Sequence, residues 1–215
     1  MCWIQLGGAE MNTILQHQFR TALGTVLLAA SKRGLCLLQV PALEPDVVLQ
    51  RVAAVFGAER IRHSRAEFID LEHEVLRYLE GEPVKWYWSL DLRGTEFQRL
   101  VWEIVGTIPT GETHSYSWVA RALGDPKAVR AVGAANGANP VQIIVPCHRV
   151  VGANGALVGY GGGLETKRRL LEIEAEGLAR LTNHCPHGSA AVERARNQRP
   201  DVPPAPHQTA SRPPT

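Results

Sequence analysis

The chain has 215 residues, of which 45% are hydrophobic and 20% charged, so it can bury a sizeable core and has the composition of an ordinary globular protein. No apolar run approaches the roughly 20 residues that span a bilayer, and no basic segment followed by an apolar stretch opens the chain, so we expect a cytoplasmic protein with no membrane partner. The net charge is +2, and acidic and basic residues balance over 94–178, which excludes a strongly basic nucleic-acid binder.

The first part of the chain predicts an N-terminal extension over 1–18 and a small α/β domain over 19–92. Apolar runs at 25–30 and 35–40 flank a glycine-containing turn, which predicts a β-hairpin. Pro45 is typical of the start of a helix, and we expect that helix to run to about Phe56.

A second helix is predicted before the domain ends. Ser64 and Glu67 have the spacing of a capping box, and apolar residues follow at helical spacing as far as Leu79. Gly81 then marks the stop. The alternating apolar residues over 84–92 predict a strand or an extended linker.

The second domain is predicted over 93–178. It opens with another capping box, Thr95 to Gln98, and a helix that ends at Ile-Pro-Thr-Gly over 108–111. Two short helices, about 115–123 and 126–136, are separated by so brief a turn that they predict a helix-turn-helix.

The remainder of this domain is a short apolar stretch, a glycine-rich loop and a last helix. The apolar stretch, 141–145, leads into Cys147, the loop covers 159–163, and the helix is expected over about 164–176. Half of the 14 prolines and few large apolar residues fall in 179–215, which predicts a disordered tail. Together these elements predict an α/β protein of two small domains: an N-terminal α/β domain whose sheet contains the hairpin, and a mostly helical C-terminal domain with the helix-turn-helix.

Cys147 is the residue that most suggests chemistry. Proline restricts the backbone before it, and His148 is the nearest base that could raise the thiolate fraction of a thiol whose pKa is ordinarily about 8.5. Because neighbouring side chains usually point apart, a bridging water is expected between the two. On these residues alone, Cys147 is either a reactive thiol or a buried one.

The helix at 126–136 carries two basic residues, no acidic residue and many small ones. Small side chains let a helix approach a surface closely, and Arg130 could contact phosphates or enter a base stack. Alternatively, the small residues form a packing face against the core.

Several motifs in this half resemble the 6-O-alkylguanine-DNA alkyltransferases, the methylated-DNA–protein-cysteine methyltransferase family. They are Gly-Glu-Thr-His-Ser-Tyr at 111–116, Pro-Lys-Ala-Val-Arg-Ala-Val-Gly at 126–133, Asn-Pro at 139–140, Pro-Cys-His-Arg-Val at 146–150 and Gly-Tyr-Gly-Gly-Gly at 159–163. The resemblance is close over about 92–178 and weaker over 20–91. It implies repair of alkylated guanine in double-stranded DNA, with one alkyl transfer per protein molecule. It also implies that the protein acts as a monomer without a cofactor, and that it repairs 4-O-alkylthymine as well.

The resemblance also implies roles for individual residues. Cys147 matches the acceptor nucleophile and His148 the histidine that takes the thiol proton through a water. Glu174 matches the carboxylate that orients the histidine. Asn139 matches the asparagine that braces the active-site turn, and Tyr116 the tyrosine that hydrogen-bonds the departing guanine and helps to rotate its phosphate.

The resemblance implies a DNA-binding helix and a base pocket as well. Arg130 matches the residue that fills the gap in the base stack. Its neighbours on the DNA-facing helix, together with Tyr116, are Lys127, Ala128 and Ala131. The residues expected to line the pocket are Pro140, Val150, Tyr160 and Gly161.

Some relatives hold a structural zinc in the N-terminal domain. The corresponding positions include Ser31 and Cys36, which do not complete a ligand set, so we predict no metal. Gly161 stands where many relatives have serine, which removes a hydroxyl and keeps the backbone N–H.

Three other functions compete with the alkyltransferase. A non-enzymatic relative that flags the lesion would lack the acceptor cysteine, whereas Cys147 is present. A helix-turn-helix regulator would need neither the Pro-Cys-His sequence nor the glycine-rich loop. A cysteine hydrolase would need an oxyanion-hole motif near Cys147.

Overall fold

The computed structural model describes residues 13–184. Their N-terminal part is a four-stranded sheet of order β3-β2-β1-β4, formed by β1 (Thr13–Thr21), β2 (Gly24–Ser31), β3 (Gly34–Gln39) and β4 (Arg60–His63). The pairs β1–β2 and β2–β3 are antiparallel, and β1–β4 is parallel. Helix α1 (Pro45–Phe56) makes the crossover to β4, and α2 (Ile69–Leu79) follows.

Strand β2 is buried on both faces, because successive side chains of a strand point in opposite directions and each face is covered. Leu27 and Ala29 pack towards α1, where Leu49 lies. Leu28 and Ala30 belong to the larger cluster on the opposite face, which includes Phe68. The run of apolar residues in β2 therefore follows from its central place.

The predicted hairpin and the helix from Pro45 to Phe56 are confirmed. The extension predicted over 1–18 is wrong for 13–18, because β1 begins at Thr13 and pairs with both β2 and β4. Residues 1–12 lie outside the described part of the chain. The capping box at Ser64 is also wrong: its hydroxyl bonds the Glu67 side chain, a 3-10 turn Ala66–Phe68 intervenes, and α2 starts at Ile69.

The C-terminal part is mostly helical, with one small parallel sheet of two strands. Its elements are α3 (Glu96–Gly106), β5 (His114–Ser115), α4 (Tyr116–Ala122), α5 (Val129–Gly137), β6 (Val150–Val151) and α6 (Leu164–His184). The capping box of α3 is confirmed, since Thr95 and Gln98 bond each other's backbone N–H. Val101, Trp102 and Val132 lie in the core that α3 and α5 share.

The helix-turn-helix is present, but its second helix begins at Val129 and not at Pro126. The Asp125 carboxylate accepts from the Lys127 N–H at 3.0 Å, and the Asp125 carbonyl accepts from the Ala128 N–H at 3.0 Å. These bonds close a turn before the helix starts.

The last helix runs past its predicted end at Glu176. It continues to His184, so the prediction of a disordered tail is wrong for 179–184; residues 185–215 lie outside the described range. Gly177 does not end the helix because it packs against Gly81, where an added Cβ would lie 2.1 Å from the Gly81 carbonyl oxygen. Among residues 13–184, no helix combines the length and the apolarity that crossing a membrane requires.

The free edge of β3 holds the two halves together. Leu35 exchanges backbone hydrogen bonds with 89–91, and Leu38 donates to the Pro140 carbonyl at 3.0 Å and accepts from Gln142 at 2.8 Å. Ile143 packs into the N-terminal cluster. The segment that leads into Cys147 is thus seated on the N-terminal sheet.

Candidate active site

Cys147 opens a 3-10 turn, Cys147–Arg149, and only 3% of its surface is exposed. Two asparagine side chains hold the backbone around it. Asn139 donates to the Val145 carbonyl at 2.7 Å and accepts from the Val141 N–H at 3.0 Å. Asn136 donates to the carbonyl of Cys147 at 3.2 Å. The position of the sulfur is therefore set by bonds on both sides of the turn.

The loop between these asparagines and the cysteine is strained. Ile143 has φ of 71°, a left-handed conformation that a β-branched residue rarely adopts, and it is 1% exposed. Such strain persists only where the surroundings over-determine the backbone. Here Asn139 bonds on either side of Ile143, and β3 binds Gln142.

His148 is buried beside the thiol and is held at one ring nitrogen only. Its Nε2 lies 2.9 Å from Oε1 of Glu174. Its Nδ1 is buried and makes no hydrogen bond with any residue of the described chain. If Nε2 carries the hydrogen and donates to the carboxylate, Nδ1 is left with a free lone pair. Burial lowers the pKa of His148 below its ordinary 6.5, against the opposing charge of Glu174, so the ring is neutral at pH 7.

Glu174 collects donors from four places in the chain. Its carboxylate accepts from His148, from the guanidinium of Arg149, from the Tyr78 hydroxyl at 2.7 Å and from the backbone N–H of Gly111 at 3.1 Å. Burial by itself would raise its pKa, but the hydrogen bonds and charges of His148 and Arg149 outweigh burial and hold the pKa well below the usual range. Glu174 is therefore a fixed anion.

The thiol itself is not activated by its surroundings. Burial raises the pKa of Cys147 to about 11, although a hydrogen bond from Asn139 and the charge of Lys167 oppose this. At that value roughly one molecule in 10,000 carries a thiolate at pH 7. The geometry thus requires a proton acceptor, and the free Nδ1 of His148 is the base that the site provides.

Lys167 lies on α6, buried under the same loops. Its ammonium donates to the carbonyls of Val150 at 2.6 Å and Val158 at 2.7 Å. Burial lowers its pKa to about 8, while the neighbouring Cys147 opposes the shift. It binds the glycine-rich loop to β6 and supplies a positive charge near the sulfur.

Tyr160 and Gly161, two of the expected pocket residues, lie in the glycine-rich loop, and Tyr116 contacts it. Pro140, also expected in the pocket, bonds β3 through its carbonyl. Tyr116, the first residue of α4, donates to the carbonyls of Val158 at 3.0 Å and Gly159 at 3.3 Å. The Tyr160 hydroxyl lies 3.4 Å from Oε1 of Gln142, next to Gly161. Burial raises the pKa of both tyrosines above the ordinary 10, so both remain proton donors at pH 7.

Helix α5 and the turn before it present small residues and two basic side chains beside Tyr116. Lys127, Arg130 and Ala131 are exposed and Ala128 is partly so, whereas Val132 points into the core. A Cβ at Gly133, three residues after Arg130 and hence on the same side of the helix, would lie 4.0 Å from the Tyr116 ring. The small-residue face that carries Arg130 and Ala131 is therefore exposed, and it is not the face that packs against the core.

Comparison with known proteins finds similarity to the family whose motifs the sequence resembles. The family model described as the DNA-binding domain of 6-O-methylguanine DNA methyltransferase matches residues 96–176. The methylated-DNA–protein-cysteine methyltransferase of Methanosarcina acetivorans is 38% identical over 162 residues, which cover 73% of this chain and 95% of that protein. The chain belongs to the methylated-DNA–protein-cysteine methyltransferase family.

Two mycobacterial members show how the likeness is distributed. The Mycobacterium tuberculosis methyltransferase is 59% identical over 97 residues, which are 45% of this chain and 59% of that protein's length. The crystal structure of Mycobacterium tuberculosis OGT in complex with DNA matches with a TM-score of 0.66 and 38% identity, covering 77% of this chain and 94% of that one. The region of 59% identity thus covers less than two thirds of the mycobacterial methyltransferase, whereas the structural similarity covers nearly all of its crystal structure.

Sequence reasoning missed several residues that this member of the family places at the site. Arg149 stood inside the Pro-Cys-His-Arg-Val motif and could have been found there. Lys167 and Asn136 are a buried lysine and a buried asparagine whose burial the sequence does not signal. Tyr78 lies on α2, 70 positions before His148, and no local pattern points to it.

No metal centre is evident in the described part of the chain. Within 13–184, no group of three or more His, Cys, Asp or Glu side chains is arranged to hold a metal ion. Cys36, which stands at one of the positions corresponding to the zinc site of some relatives, is a buried thiol that is 3% exposed and donates to the Ala29 carbonyl.

Proposed function

We propose that this protein repairs alkylated guanine in double-stranded DNA by transferring the alkyl group from the 6-oxygen to the sulfur of its own Cys147. One observation carries the proposal: a buried thiol adjoins a histidine whose Nε2 is held by Glu174 and whose buried Nδ1 has no partner in the described chain. Membership of the family and the DNA complex of its mycobacterial relative support it.

The first step is the loss of the thiol proton. It passes from Cys147 through a bridging water to Nδ1 of His148, and the Glu174 anion stabilises the imidazolium that forms. The resulting ion pair avoids the high pKa that burial imposes on an isolated thiolate.

The target base must leave the helix before it can react. The 6-oxygen of a stacked, paired guanine is out of reach of a buried sulfur, and extruding the base costs a few kcal/mol. Arg130, exposed on α5, inserts into the gap and offsets part of this cost. Ala131 on the same helix and Lys127 and Ala128 in the turn before it lie along the duplex, and the small size of the two alanines allows close approach.

The second step is an in-line displacement at the alkyl carbon. The sulfur of Cys147 forms a bond to that carbon, the carbon–oxygen bond breaks, and its electron pair stays on the guanine. Tyr116 turns its hydroxyl from the loop carbonyls to the base and donates a hydrogen bond to the departing guanine, which lowers the barrier.

The pocket recognises the rest of the base. The carbonyls of Cys147 and Val150 accept from the guanine amine. The Val150 carbonyl accepts from Lys167 and keeps a second lone pair, whereas the Cys147 carbonyl already accepts from Asn136 and from the Val150 N–H, so the amine replaces one of these two donors. The pocket walls are Pro140, Tyr160 and the backbone of Gly161.

The product is a thioether, from which sulfur does not depart under mild conditions. One molecule therefore performs one transfer and is consumed. Because the acceptor is the protein's own sulfur, the reaction uses no cofactor, and we propose that the protein acts as a monomer. We place this reaction in the cytoplasm, at the chromosome, and extend it to 4-O-alkylthymine.

The test is stoichiometric label transfer. The full chain is mixed in excess with a duplex that carries one 6-O-methylguanine labelled in the methyl group, and the labelled peptide is identified by mass spectrometry. We expect one label per lesion, on Cys147. Cys147→Ala should bind the lesion and transfer nothing. Cys36→Ala, which removes the other cysteine of the described chain, is the matched control and should transfer fully.

Other outcomes separate the competing functions. Lesion binding by the unaltered chain without transfer would support a non-enzymatic flagging protein. Transfer that survives Cys147→Ala would exclude Cys147 as the acceptor. Binding that does not distinguish damaged from undamaged duplex would indicate a plain DNA-binding regulator.

A further inference from the structure

The relay around His148 receives one group from the N-terminal part of the fold. Tyr78, on α2, is 4% exposed, and its hydroxyl lies 2.7 Å from Oε1 of Glu174 and 3.2 Å from Nε2 of His148. The three polar groups therefore form a closed triangle, although they come from α2, α6 and the turn that holds the acceptor.

We propose that Tyr78 is a positioning residue of the alkyl-transfer relay: its hydroxyl orients Glu174 and favours the neutral form of His148 that takes the thiol proton. This inference rests on the proposed function. The Tyr78 hydroxyl contacts Glu174 and His148, so Tyr78 acts through these two residues.

The direction of the hydrogen bond decides the electrostatic effect. Glu174 is an acceptor, so the Tyr78 hydroxyl donates its one hydrogen to Oε1 of the carboxylate. That hydrogen offsets part of the negative charge that would otherwise favour an imidazolium. The pKa of Tyr78 lies well above 10, because of burial and the nearby carboxylate, so the donor is retained at every relevant pH.

Other charged and titratable groups face the same triangle. The guanidinium of Arg149 binds both oxygens of Glu174. Lys167 lies near the Cys147 thiol, and Tyr160 lies near the Tyr78 hydroxyl. Arg149 and Lys167 also disfavour an imidazolium, by positive charge. Tyr78 differs from both in that it comes from the other half of the fold.

The packing of the ring explains why the hydroxyl reaches this position. Tyr78 belongs to the large apolar cluster, and its ring lies 5.8 Å from that of Trp86 at 58°. A buried hydroxyl without a partner is unfavourable, so the ring must place its oxygen on a polar group. The core of the N-terminal part thereby fixes a hydrogen-bond donor inside the relay.

The substitution that tests this is Tyr78→Phe in the full chain, which keeps the ring and removes the hydroxyl. Without the donor, Glu174 attracts a proton on His148 more strongly, and the pKa of the histidine rises. We expect the acid limb of the transfer rate to move to higher pH, with a loss of roughly three- to tenfold at pH 6 and little change at pH 8. Affinity for the damaged duplex, measured in the Cys147→Ala background, should not change.

Tyr87→Phe is the matched control, because Tyr87 is 81% exposed and the same hydroxyl is removed. Its pH profile should overlay that of the unaltered chain. The inference is overturned if the Tyr78→Phe profile also overlays it, if the acid limb moves to lower pH, or if the rate falls by the same factor at every pH, as it would for a purely structural residue.

A second readout does not depend on transfer. The titration of the His148 ring is followed by NMR in the unaltered chain and in Tyr78→Phe, and we expect a higher midpoint in the variant. If the unaltered chain transfers no label, the proposed function fails, whereas this titration still decides whether Tyr78 acts on His148; an unchanged midpoint would refute it.

Discussion

Arg149 should stabilise the fold far more than an arginine on the surface of α6. Its guanidinium donates to both oxygens of Glu174, to the carbonyl of Ile108 at 2.6 Å and to the Thr110 hydroxyl at 3.0 Å. The side chains of Arg149 and Glu174 are 8% and 1% exposed. Arg149→Met keeps the length and the apolar stem and leaves a buried carboxylate without its counter-ion.

The expected magnitude follows from burial. Removing one partner of a buried ion pair costs about 3–5 kcal/mol, because the remaining charge stays desolvated. Arg168→Met is the matched control: the Arg168 side chain is 51% exposed and pairs with Glu165 and Glu172 along one helix, where such pairs contribute about 0–1 kcal/mol.

Urea unfolding followed by tryptophan fluorescence measures the difference. With a slope of about 1–3 kcal/mol per M, the urea midpoint of Arg149→Met should fall by about 1–5 M and that of Arg168→Met by at most about 1 M. Equal midpoints for the two variants would refute the reasoning, since they would show that burial adds nothing to this pair.

The same comparison has a defined pH dependence. The folded-state pKa of Glu174 lies below the ordinary value of 4.5, so the pair stabilises the protein above that value and its contribution is lost as the pH falls. The difference in free energy of unfolding between Arg149→Met and Arg168→Met should therefore become smaller below pH 4.5. A gap that stays constant down to pH 3 would mean that the carboxylate is not its source.

Three further predictions concern the site. Arg130→Ala should leave the free energy of unfolding unchanged within about 0.5 kcal/mol, because the residue is exposed. It should slow repair of the duplex by about 10- to 100-fold, while the reaction with the free base persists. Equal losses on both substrates would assign Arg130 a structural role. Burial holds the pKa of His148 below 6.5, so the transfer rate should be flat from pH 8 to 6.5 and fall only below it as the ring gains a proton; a rate that instead rises with the titration of a free thiol near about 8.5 would contradict the relay. Asn139→Ala leaves the Val145 carbonyl and the Val141 N–H without this partner and should cost about 1–3 kcal/mol in urea unfolding, with slower transfer; an unchanged midpoint would show that water replaces the amide.

Features that depend on neighbouring residues were predicted well. The capping box from Thr95 to Gln98 forms because both partners lie within one turn. Helix α1 starts at Pro45 because proline already has the required φ and needs no donor. The hairpin follows from two apolar runs and the turn between them.

One error was local, and two arose where groups distant in sequence decide the outcome. Ser64 has a capping-box pattern, but its hydroxyl binds the Glu67 side chain and the chain makes a 3-10 turn first. Helix α6 passes through Gly177 because Gly81 packs against it. Strand β1 begins at Thr13 because β4 offers a parallel partner from beyond α1.

The sequence by itself determined the chemical identity of the site, since Cys147 and His148 are adjacent and the surrounding motifs carry the resemblance to a family. The resemblance already implied Glu174 beside His148. Only the tertiary structure decided that the guanidinium of Arg149 and the hydroxyl of Tyr78 also meet this carboxylate, from two other elements. Local patterns report bonds between near neighbours, whereas the charge state of a buried group depends on everything within a few ångströms, whatever its distance along the chain.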